Sequence, residues 1–78
     1  MDIYSFLNLI NDISNVRVII YDLNTGKNLY DKMNCDCEGG LVSDIEEEGY
    51  DSYEIKSIDV YHNTKQVIFE LNIEIEED

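Results

Sequence analysis

The sequence predicts an α+β domain in which an N-terminal helix packs on a four-stranded antiparallel sheet built from two hairpins, with a short helical piece in the connector at 41–53. Three observations predict this. Apolar residues recur with helical spacing at the start of the chain, a long period-two alternation closes it, and two pairs of apolar runs are each joined by a short polar turn. At 78 residues there is room for a single domain, 1–78, and no second core.

Residues 2–14 give the helix, because Ile3, Phe6, Leu7, Ile10 and Ile13 follow the i, i+3, i+4, i+7, i+10 spacing of one face. Asp2 is positioned to cap its first turn, and Ser14-Asn15 stops it. Residues 16–22, VRVIIYD, give a strand with apolar groups on both faces, which marks an internal strand covered on each side. Leu23-Asn24-Thr25-Gly26-Lys27 is a hairpin turn, with Gly26 suited to the left-handed position that closes it. A second strand follows at about 28–33.

The stretch 34–53 is polar and irregular, broken by Gly39-Gly40. Within it Ser43-Asp44-Ile45-Glu46 matches the SxxE capping box, so Ser43 is expected to cap a short helix that Gly49 ends. Strands at 54–61 and 66–76 complete the sheet, joined by a turn at His62-Asn63-Thr64-Lys65. In the last of them Val67, Phe69, Leu71, Ile73 and Ile75 alternate with Ile68, Glu70, Asn72, Glu74 and Glu76. The first and fourth strands are the most apolar and belong in the centre, in the order 2-1-4-3.

The charge is the unusual number. Eighteen Asp and Glu against five Lys and Arg leave −13 at neutral pH, where a small domain needs a magnitude of only about 2–8 to stay dispersed. Phosphate recognition draws on Lys and Arg, so direct binding to nucleic acid is disfavoured, as is binding to anionic membranes. A basic protein is the complement. Yet 44% of residues are apolar, too many for a disordered acidic tail. No apolar run approaches 18 residues, Met1-Asp2-Ile3-Tyr4 lacks the positive start of a signal peptide, and Cys35 and Cys37 make no disulfide framework. The expected compartment is the cytoplasm.

Sites for chemistry are thin. Cys35-Asp36-Cys37 supplies two thiolates where structural zinc needs four ligands, and His62 is the single other soft donor. Asp44, Glu46, Glu48 and Gly49 imitate the opening of an EF-hand loop, but the position that requires a bidentate Glu is Ile55. Nucleotide-binding glycine motifs and the GxSxG elbow are absent, and His62, placed in a turn, has no nucleophile at a recognisable spacing. No catalytic residue, metal or cofactor is therefore assigned, and a non-enzyme is expected.

What remains is acidic surface and tyrosine. Ten acidic residues lie between Asp31 and Asp59, and five more between Glu70 and Asp78. Asp44, Glu46, Glu47, Glu48, Asp51 and Glu54 form the central candidate contacts for a partner, extended by Glu70, Glu74 and Glu76. On an extended strand the last three repeat at multiples of about 6.8 Å. That matches in scale and sign, not in register, the roughly 3.4 Å advance of phosphates along a DNA strand. Tyr21, Tyr30 and Tyr61, with Ile19, Ile55 and Ile68, are expected to share the sheet face away from the helix and to offer a second contact surface.

The segments VIIYDLNTGKNLYD at 18–31 and YEIKSIDVYHNTKQVIFEL at 53–71 resemble short uncharacterised acidic proteins of phages and mobile elements in low-GC Gram-positive bacteria. The resemblance carries no functional residues over. It implies a context in which small acidic proteins include anti-restriction and anti-CRISPR inhibitors, some DNA-like in charge. The leading expectation is thus an acidic inhibitor or regulator occupying a basic, nucleic-acid-binding surface of a partner enzyme or effector complex. The alternative is an assembly protein, monomer or homodimer, that self-associates through the sheet face.

Overall fold

The computed structural model describes residues 1–10, 15–63, 65 and 68–76. Helix α1 (Ile3–Asn8) is followed by strands β1 (Val16–Asp22) and β2 (Asn28–Met33), helix α2 (Leu41–Glu48), and strands β3 (Ser57–Asn63) and β4 (Ile68–Ile75). The strands form one sheet in the order β2-β1-β4-β3. A 3-10 turn occupies Asn34–Asp36.

The sheet is mixed, not antiparallel throughout. Both hairpins are antiparallel, but the central pair β1 and β4 runs parallel, from Val16 opposite Phe69 to Asp22 opposite Ile75. The reason lies in the connector. Both edge strands oppose the central pair, so β2 and β3 point the same way, and the chain leaving Met33 must return to the far end before starting β3. A return of this kind needs a dozen or more residues, usually with a helix; residues 34–56 supply it and α2 rides within it.

Both helices cover one face. Ile3 and Leu7 of α1 and Leu41 and Ile45 of α2 pack with Val16, Val18, Ile20, Leu71, Ile73 and Ile75 in a single core, most of them wholly buried. Burying each such aliphatic side chain stabilises the fold by about 1.5–3 kcal/mol. The return segment is stitched to α1 by backbone bonds: Ile3 N–H donates to Tyr53 O, Tyr4 N–H to Asp51 O, and Ile55 N–H to Met1 O.

Helix α1 is shorter than its apolar period suggested. Asp2 does cap it, accepting from Ser5 N–H at 2.8 Å. The helix ends at Asn8, where Leu9 and Ile10 donate back three residues to Phe6 and Leu7. Asn8, its last residue, is of a type whose side chain competes with helical bonding. Ile13 lies outside the described residues.

The second helix starts two residues before the capping box. Gly40 is its N-terminal flank, at φ 94°, and Asn34 accepts from Leu41 N–H at 3.0 Å, so Asn34 does the capping expected of Ser43. Ser43 sits inside the first turn. Gly49 ends the helix in the left-handed conformation, as its position predicted. His62 belongs to β3 instead of a turn, its ring stacked 4.6 Å from that of Phe69.

Candidate binding face

Strand alternation and register define what the helix-free face presents. It carries Arg17, Ile19 and Tyr21 from β1, Asp31 and Met33 from β2, Ser57, Asp59 and Tyr61 from β3, and Glu70, Asn72 and Glu74 from β4. Among the described residues no helix covers it. Ile19, enclosed by Arg17 and Tyr21 along its own strand and by Asp31 and Asn72 on the neighbouring strands, is 5% exposed there.

The two ends of this face differ in charge. At one end the Arg17 guanidinium makes a two-pronged pair with Asp31, 2.7 Å through Nε and 2.6 Å through Nη2, and reaches Glu70 at 3.0 Å through Nη1. The hydrogen-bonded guanidinium holds the Asp31 carboxyl below its ordinary range, and the two carboxylates keep Arg17 charged throughout. At the other end Asp59 and Glu74 have no cation within ion-pairing distance among the described residues. They border a shallow depression of about 380 Å³ whose walls include Tyr21, Leu23, Gly26, Tyr61 and Asn72. The β1–β2 turn that forms one wall is fixed by Asp22, which accepts from Asn24 N–H at 3.1 Å and from the Thr25 hydroxyl at 2.9 Å.

Tyr21, Tyr61 and Ile19 therefore share the open face, but Tyr30 and Ile55 do not. Tyr30 is buried beneath α2, and Ile55 packs against the same helix-side core. For Tyr30 the cause is a bulge in β2. Tyr21 pairs with Asn28 but Ile20 pairs with Tyr30, so Leu29 is the extra residue. A slip of one residue sends every following side chain of β2 to the opposite face. The Ile68 side chain lies outside what is described.

On the helix side, Tyr30 becomes the joint between α2 and the sheet. Its hydroxyl donates to Asp44 Oδ2 at 2.7 Å, and Lys32 Nζ reaches the same oxygen at 3.0 Å. The Tyr30 bond first, then the lysine, hold the Asp44 carboxyl below its ordinary value. Burial, reinforced by the carboxylate, pushes the Tyr30 phenol up. Its ring meets Tyr50 edge-on at 6.4 Å.

The nine carboxylates singled out in the sequence fall in two places. Asp44, Glu46, Glu47 and Glu48 ride on α2, with Asp51 and Glu54 in the segment after it. Of these, Asp44 is paired with Lys32, and Glu54 with Lys56 at 3.5 Å and the N-terminal amine at 4.0 Å. Glu70 and Glu74 project from the opposite face, and Glu76 is exposed just past β4. The molecule is 20 Å across its shortest axis, while at physiological salt charges are screened beyond about 8 Å. The two groups therefore form separate surfaces, not one stripe.

Cys35 is exposed and Cys37 half-buried, its thiol 3.3 Å from Met33 O. Among the described residues no group of three or more His, Cys, Asp or Glu side chains is placed to hold a metal ion, and no helix is long and apolar enough to cross a membrane. Arg17, Asp59 and Asn72 were not singled out in the sequence. Their signal is the register that pairs Arg17 with Glu70 and Asp59 with Asn72.

Fold and surface together define an α+β domain with one helix-covered and one open, acidic sheet face. No protein-family model, curated protein or solved structure matches the chain.

Proposed function

We propose that this chain is a small acidic protein-binding module that occupies a basic surface of a partner, of the kind nucleic-acid-binding proteins present, using the open face of its sheet. One observation carries the proposal. Both helices pack on the same side, leaving a four-stranded surface that carries Asp31 and Glu70 around Arg17 at one end and Asp59 and Glu74 at the other. Tyr61, 55% exposed at the edge, adds the aromatic contact area that protein interfaces favour. Opposite charge speeds encounter and makes affinity fall with salt.

The α2 carboxylates lie on the other side and do not share the contact. The inhibitory role, in which the module displaces nucleic acid from such a partner, follows from the same charge complementarity. NMR titration with protamine, a basic DNA-condensing protein, at low and high salt tests the proposal. Shifts are expected at Tyr21, Asp59, Tyr61 and Glu74 more than at Glu46, Glu47 and Glu48, with affinity falling as salt rises. Salt-independent binding, or shifts centred on α2, would overturn it.

Self-association is a second reading, favoured by the edge strand β3, whose Val60 is 61% exposed beside the 47% exposed Phe69. Light scattering that shows a strict monomer up to millimolar concentration removes it.

A further inference from the structure

We infer that the depression between Tyr21 and Tyr61 is a seat for an arginine side chain of the partner, with Asp59 and Glu74 as the carboxylates that receive the guanidinium. This rests on the acidic-module proposal and narrows it to one end of the open face. Three observations converge there.

The first is the distribution of charge. Arg17 already occupies the other end, where it bonds Asp31 and Glu70. It shows how the chain's own guanidinium is held on this sheet, reaching from the central strand to carboxylates on both neighbouring strands. Asp59 and Glu74 offer a second pair and have no cation among the described residues. The spacing is the second observation. Asp59 lies opposite Asn72, so Glu74 is its diagonal neighbour on the adjacent strand. Such positions are roughly 7–8 Å apart at the backbone, a span that one guanidinium with five donors can bridge.

The third observation is the shape and lining. The depression of about 380 Å³ runs across β4 between the two tyrosines, with Asn72 on its floor. Arginine is the cation this lining suits. Its planar group bonds carboxylates in two-pronged fashion and lies on aromatic faces, whereas a lysine ammonium is a hydrated point charge that uses neither feature as well. The Asn72 carbonyl oxygen is free in type to accept one further N–H.

Two labelled peptides, alternating Gly-Arg and alternating Gly-Lys, are titrated at low salt into the wild-type chain, into Asp59→Asn/Glu74→Gln and into Glu46→Gln/Glu47→Gln. Both variants remove the same charge, the second from α2, and retained amide dispersion confirms that each is folded. The Gly-Arg peptide is expected to bind at least fivefold more tightly than Gly-Lys. The Asp59→Asn/Glu74→Gln change should weaken Gly-Arg binding about tenfold and bring the two peptides together, with the α2 variant within twofold of wild type. Equal affinity for the two peptides, or equal weakening by both variants, overturns the arginine seat while leaving the acidic module standing. Failure of both peptides to bind the wild-type chain at low salt overturns both.

Discussion

Replacing Tyr30 by Phe removes a single oxygen from the joint between α2 and the sheet and leaves the ring, its burial and its contact with Tyr50 in place. The lost bond is to a carboxylate, a kind worth about 1.5–3 kcal/mol. Lys32 still holds the same Asp44 oxygen at 3.0 Å, so no carboxylate is orphaned and the low end applies, about 1.5 kcal/mol. For a domain of this size that is a fall in Tm of roughly 6–12 °C, since 1 kcal/mol corresponds to about 4–8 °C.

Urea denaturation followed by circular dichroism, with unchanged m, measures it. The pH dependence adds a second check. Asp44 has its carboxyl held low in the fold, so its contribution is present above the unfolded value of about 4 and lost as pH falls through the lower folded value. Tyr30 has its phenol pushed up, so its contribution is full below about pH 10 and lost as pH rises from there. Tyr30→Phe should shrink the acid loss and abolish that part of the alkaline one. A variant within 0.3 kcal/mol of wild type (taken as roughly the measuring error), with an unaltered alkaline limb, refutes the joint.

Two further perturbations probe the fold. Asn34→Ala leaves the Leu41 N–H without its side-chain acceptor and should cost about 1 kcal/mol by urea titration; no change would mean that Asn34 does not cap α2. Ile73 is wholly buried between Ile20 and Ile58, so Ile73→Ala should cost about 2–5 kcal/mol, comparable with the whole stability of so small a domain. Amide dispersion should collapse for that variant, while Ile73→Val, at about 0.5–1.5 kcal/mol, stays folded; a well-dispersed Ile73→Ala spectrum would contradict the core.

Much of this architecture was legible in the chain. Val16–Asp22 stands where its apolar run placed it, and the alternation of Leu71, Ile73 and Ile75 with Asn72 and Glu74 reads out the two faces of β4. The left-handed Gly26 and Gly49 stand at the turn and helix end their positions predicted. The candidate face was legible only in part. Tyr21 and Tyr61 were found by alternation within their own strands, but Tyr30 was misplaced because the bulge at Leu29 has no local signature in NLYD. Asp59 was passed over because a lone Asp in a strand says nothing until the strand beside it is known.

The sequence by itself determined the order of helices and strands, though not their ends, that the first and last strands are central, and that the chain carries a large negative excess. Those properties depend on neighbours a few residues apart. Only the tertiary structure decided that β1 and β4 run parallel, that both helices share one side, and that the α2 carboxylates and the β4 carboxylates face opposite ways. Each of those depends on the path of the 34–56 return across the sheet, and a periodicity of two or of 3.6 does not record direction or partner.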